Sequence, residues 1–181
     1  VLGPRAVERI DSYDPPWPLP KIFRLKKGGK LNAAIFEADT INTPSLLCVE
    51  DYLDALKWAG SLGLEGLISR SRENLRVVEK WVAGRDWVEF LAATPETRST
   101  TSVCLSVVSP KVLALPKEEK AKFLKGIVGE MAKRKVAYDM GSYKDAPPGF
   151  RFWCGPTLEP ADLGRALEEL EKVYTEKIAT L

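Results

Sequence analysis

Histidine is absent from the 181 residues. Its absence removes His-based nucleophilic triads, imidazole general bases and most zinc sites together, so no metal is expected. Cysteine is scarce and odd in number, with Cys48, Cys104 and Cys154 far apart in sequence. That usage suits structural, unpaired thiols in a reducing, cytoplasmic setting, and a nucleophilic cysteine would lack its usual imidazole partner. No charge surplus exists either: 27 Lys and Arg against 25 Asp and Glu leave +2. This is too even for a protein that holds nucleic acid by bulk charge. No apolar run approaches the length of a membrane span. Neither nucleic acid nor a membrane is therefore an expected partner. Methionine occurs only as Met131 and Met140, and the chain opens on Val1. The expectation is a removed N-terminal segment or the back part of a longer chain.

What is present is ordinary for a globular chain, with 45% hydrophobic and 29% charged residues, enough to build one moderate domain or two small ones. Pro4 suits the first turn of a short helix. The Asp14–Pro20 stretch, with four prolines, forbids regular pairing because each proline lacks an N–H. Lys21 to Lys26 alternates charged and apolar residues, Lys27-Gly28-Gly29-Lys30 can turn, and Leu31 to Ala38 can return, which predicts a hairpin. Thr43-Pro44-Ser45 announces a helix to about residue 62, and a second covers 65 to 84 with Leu67, Leu75, Val78 and Val82 inward. Strands are expected at 87–92, 102–108, 136–140 and 150–154, and helices from 116 to 134 and from Pro160. In the last helix Leu163, Ala166, Leu167, Leu170, Val173 and Tyr174 should face inward. From residue 65 the order is that of an α+β sandwich, with helices on one face of a small sheet.

Four places carry candidate chemistry. Gly28-Gly29 among Lys26, Lys27 and Lys30 lacks the strand and helix of a phosphate-binding P-loop, and a solvated basic hairpin tip is the better reading. Asn42 and Thr43 stand just ahead of Pro44, where a helix N-terminus leaves N–H groups unpaired and phosphate binds readily. Residue chemistry alone favours a plain N-cap there. Arg151 alternates with Phe150 and Phe152 on an expected strand. It suits either a carboxylate clamp with two parallel bonds or a structural salt bridge, and spacing does not separate the two. Lys144, on the loop before it, offers a second positive charge. Acidic pairs such as Glu118-Glu119 and Glu168-Glu169 read as solvated helix faces.

Several stretches together resemble the phosphoserine aminotransferases, pyridoxal-phosphate enzymes with the aspartate-aminotransferase fold. They are Leu2-Gly-Pro-Arg-Ala-Val-Glu-Arg, Pro15-Pro-Trp-Pro-Leu-Pro-Lys-Ile-Phe-Arg, Lys27-Gly-Gly-Lys, Ile41-Asn-Thr-Pro-Ser and Cys48-Val-Glu-Asp-Tyr-Leu-Asp-Ala-Leu-Lys-Trp-Ala. Thr101-Ser-Val-Cys and Tyr143-Lys-Asp-Ala-Pro-Pro-Gly-Phe-Arg-Phe-Trp-Cys-Gly complete the set. The likeness runs end to end and looks closest to the branch common in alphaproteobacteria.

The resemblance implies an α/β chain of the fold type I class of pyridoxal-phosphate transferases, covering about the C-terminal half of the family. Residues 1–64 would be the trailing part of the large cofactor-binding domain and residues 65–181 the small C-terminal α+β domain. The cofactor-bearing lysine would lie before Val1, so this chain alone would be inactive and contribute no catalytic residue of that kind. The resemblance further implies that Asn42 and Thr43 bind the pyridoxal 5'-phosphate phosphate in the neighbouring subunit's site, which makes a homodimer the expected form. Arg151 would grip the substrate α-carboxylate, and Lys144 stands near the place of a basic residue that meets the substrate phosphate. The implied reaction takes the amino group of L-glutamate to 3-phosphohydroxypyruvate and yields O-phospho-L-serine on the route to serine. A non-catalytic anion- or partner-binding module and a transaminase of the alanine or serine–glyoxylate type are the competing readings.

Overall fold

The computed structural model describes residues 1–181. It mixes helices and strands and divides into two compact units, Val1–Lys57 and Trp58–Leu181. The division expected from the sequence, at 64/65, lies further along the same helix. That helix, α2, runs from Leu46 to Ala83 and is interrupted only at Gly63, whose φ of 67° no helix accommodates. The interruption stands between the two helices expected from the sequence.

In the first unit, α1 spans Pro4–Ser12 with Pro4 in its first turn. A hairpin follows, made of β1 (Lys26–Lys27) and β2 (Lys30–Leu31). Gly28 and Gly29 both take positive φ, 63° and 81°, as a two-residue hairpin turn with the right twist requires. The strands are far shorter than expected. Lys21–Phe23 and Ala33–Phe36 coil into single 3-10 turns instead, and the Leu25 carbonyl takes the last paired N–H, from Asn32. Asp11 on α1 pins the hairpin by accepting from the Leu31 N–H at 2.7 Å. No residue of this unit is buried.

The second unit holds the core. Its sheet contains β3 (Val88–Phe90), β4 (Ser102–Val107) and β5 (Phe150–Trp153), all antiparallel, with β4 in the middle. Between β4 and β5 come a single turn, α3 (Pro110–Leu113), and α4 (Lys117–Lys133), and α5 (Pro160–Ile178) closes the chain. The two-residue period of a strand sends alternate side chains to opposite faces. Val88, Phe90, Val103, Leu105, Val107, Phe150 and Phe152 accordingly join the helices in the core. Leu124, Ile127 and Met131 of α4 and Leu163, Leu167, Leu170, Val173 and Tyr174 of α5 complete it.

Two expectations need correction. The inner face of the second stretch of α2 is Ser71, Asn74, Val78 and Trp81, while Leu75 and Val82 only pack against its edge. Asn74 is placed there to donate its amide to the carbonyls of Cys154, Gly155 and Leu158, at 3.1, 3.1 and 3.0 Å, which fixes the loop leaving β5. The strand expected at 136–140 does not form. Lys135 and Asp139 adopt left-handed backbone, φ 58° and 52°, so the segment turns and reaches the sheet only as a bridge between Gly141 and Phe150.

Candidate functional site

The helices cover one face of the sheet and leave the other open, carrying Glu89, Ser102, Cys104, Ser106, Arg151 and Trp153. Arg151 is set there by its neighbours. Phe150 and Phe152 are anchored in the core, and the Arg151 N–H donates to the Met140 carbonyl at 2.8 Å. Gly149 lets β5 enter close to β4: a side chain there would meet the Leu105 carbonyl oxygen at 2.3 Å. Arg151 pairs with Cys104 in register and borders a small hollow shared with Leu91, Tyr143, Ala146 and Pro147.

The polar contacts of Arg151 are specific. Its Nη1 donates to the Tyr143 hydroxyl at 2.8 Å, and its Nη2 donates to Asp139, to Oδ2 at 2.9 Å and to the carbonyl at 3.2 Å. The guanidinium carbon also sits 4.2 Å from the centre of the Tyr143 ring, a favourable cation–π arrangement. Nε is buried and has no partner. Both arms of the sequence dilemma are thus visible, since Arg151 is ion-paired and yet stands on an open face beside a hollow.

Lys144 follows Tyr143 on the exposed loop and makes no ion pair. It shares that loop with the partners of Arg151, whereas Asn42 and Thr43 belong to the other unit. Asn42 and Thr43 are exposed, and only the Asn42 carbonyl is engaged, by the Thr40 hydroxyl at 2.8 Å. The cap of α2 is Ser45, whose Oγ accepts from the Cys48 N–H at 3.4 Å. The Asn42 amide and Thr43 hydroxyl therefore remain available, and the first turn of α2 carries no acidic side chain. Neutral donors ahead of an acid-free helix N-terminus fit a phosphate group. No cluster of three or more His, Cys, Asp or Glu residues is placed to hold a metal ion. No helix is long and apolar enough to cross a membrane.

Sequence reasoning missed Asp139 and Tyr143. The available signal was Asp139-Met-Gly141, an aspartate before a turn, which tolerates left-handed backbone better than most residues.

Over 175 residues, 96% of its length, the chain is 54% identical to phosphoserine aminotransferase from Methanosarcina mazei, and by the same measures to that from Methanosarcina barkeri. The chain is a relative of the phosphoserine aminotransferases. It spans about 45% of the length of those relatives. No family model matches the chain.

Proposed function

We propose that the chain is the C-terminal portion of a phosphoserine transaminase, a cytoplasmic homodimer of the fold type I class that passes the amino group of L-glutamate to 3-phosphohydroxypyruvate. The observation that carries this reading is the 54% identity maintained over 96% of the chain. In it, residues 1–64 close the large domain and residues 65–181 form the small one. When bound, pyridoxal 5'-phosphate supplies the electron sink for amino-group transfer. Asn42 and Thr43 would hold its phosphate in the partner subunit's site, and Lys144 would meet the phosphate of the substrate.

Arg151 supplies what every substrate of the reaction shares. Amino donor and keto acceptor both carry an α-carboxylate, and one planar guanidinium on a rigid strand can grip each in turn by paired N–H···O bonds. Phe150 and Phe152 in the core, with Gly149 tight against β4, keep that fork in a fixed direction. The remainder of a longer enzyme would furnish the lysine that carries the cofactor.

The test is Arg151→Ala in the full-length enzyme. We expect kcat/KM to fall about ten- to a hundredfold for glutamate and for 3-phosphohydroxypyruvate alike, the scale of losing a charged hydrogen-bond pair. Unchanged kinetics for both half-reactions would remove Arg151 from the site. Comparing phosphoserine with serine and alanine as amino donors separates this enzyme from the alanine and serine–glyoxylate types.

A further inference from the structure

We propose that Asp139 is a built-in carboxylate that occupies Arg151 in the empty site, so that substrate binds by carboxylate exchange rather than by simple addition. The inference rests on the reading of Arg151 as the substrate's carboxylate anchor.

A count of donors carries it. A guanidinium has five N–H groups, one on Nε and two on each Nη. The Nε group is buried without a partner, so an incoming carboxylate cannot reach it. Nη2 gives bonds to Asp139 Oδ2 and to the Asp139 carbonyl, and Nη1 gives one to Tyr143. One N–H, on Nη1, is left without a partner, and a paired clamp on a carboxylate needs two. Withdrawing the Asp139 carboxylate frees one N–H on Nη2. With the spare one on Nη1, two N–H groups, one on each Nη, are then open to a carboxylate.

The rest of the geometry agrees with displacement. The Asp139 side chain is 91% exposed while that of Arg151 is 19% exposed, so the acid can swing into water and leave the arginine where it is. Tyr143 and the Asp139 carbonyl keep their bonds to the guanidinium and hold its plane during the exchange. Because every substrate offers the same α-carboxylate, the self-occupancy should weaken all of them by one common factor.

The experiment uses the full-length enzyme with its cofactor and the variants Asp139→Asn and Asp139→Gly. Both residues accept positive φ, and the exposed position leaves the fold intact. We expect KM for glutamate and for 3-phosphohydroxypyruvate, and the inhibition constant of the unreactive dicarboxylate glutarate, to fall together by about two- to fivefold with kcat little changed, as the strength of an exposed ion pair allows. Asp145→Asn removes a charge from the same loop without touching Arg151 and should shift none of the three. If the Asp139 variants bind no tighter while Arg151→Ala still cripples binding, exchange is wrong and the role of Arg151 stands. An equal fall in Asp145→Asn would also overturn the proposal, in favour of a general charge effect. If Arg151→Ala changes nothing, the anchor reading and this inference fall together.

Discussion

The two units of the chain are built from similar residues and come to opposite ends. Residues 1–57 contain Trp17, Ile22, Phe23, Phe36, Leu46 and Leu47, all exposed, and bury nothing. Residues 58–181 contain the entire core, from Val78 to Tyr174. Apolar content does not distinguish them; layering does. In the second unit three helices cover one face of a sheet, so each apolar stripe meets another. In the first, α1 packs beside a hairpin of two-residue strands, and the apolar face of the first stretch of α2 finds no second layer within its unit. Exposed apolar surface on this scale is the mark of a surface used for association. The dimer and the longer enzyme of the proposed function would supply that layer.

The widest gap between the units should appear in thiol chemistry. Cys48 is exposed, while Cys154 is buried and its thiol is pushed up to about 12 by desolvation. The thiolate is the reactive form. At about pH 8 only roughly one Cys154 in ten thousand would be ionised, even before access is considered. Alkylation of the native 181-residue chain should therefore label Cys48 orders of magnitude faster than Cys154, with Cys154 reacting on unfolding. Equal rates under native conditions would mean that the second unit does not shield Cys154.

Truncations sharpen the contrast in free energy. Leu170→Ala empties a fully buried site on α5 and should cost about 2–5 kcal/mol in urea denaturation. Leu53→Ala removes the same atoms from a side chain that is 43% exposed in the first unit, and should cost less than about 1 kcal/mol. Comparable losses would show that the front of α2 is packed in solution, as a dimer would make it.

Legibility in the sequence followed the same divide. The alternation of Val103, Leu105 and Val107 and the helical period of Leu163, Leu167 and Leu170 could be read directly, because a facing layer exists to bury them. The hairpin strands were overestimated because alternating residues at 21–26 had no sheet to join. Asn74 on the inner face of α2 was hidden, since its three acceptors lie some eighty residues away. The missing strand at 136–140 turns on two left-handed residues, Lys135 and Asp139, and a lysine gives no warning of that conformation. At the candidate site, Arg151 was legible as a strand arginine between two aromatics, but its choice between ion pair and clamp was not. That depended on Asp139 and Tyr143 coming round a loop to meet it. The transaminase reading came from the resemblance rather than from residue chemistry, which reached no further than an anion site.

The smallest effect concerns what ties α4 to α5 at the edge of the core. Arg134 donates to Glu130 at 3.1 Å, to Glu169 at 2.8 Å and to Glu176. Its hydrogen bonds hold the Glu130 and Glu169 carboxyls below their ordinary value of 4.5. A carboxyl whose pKa is lowered by folding stabilises the native state above its unfolded pKa. That contribution is lost as pH falls through the folded value. The wild-type chain should accordingly lose stability as pH drops below about 4.5, and Arg134→Gln should flatten that part of the profile. The two proteins would differ more at about pH 7 than at about pH 3, with strong salt narrowing the gap because the half-buried cluster still borders solvent. A constant difference across that range would assign the effect of the substitution to lost packing of the arginine stem. The cluster would then be no part of what holds the second unit together.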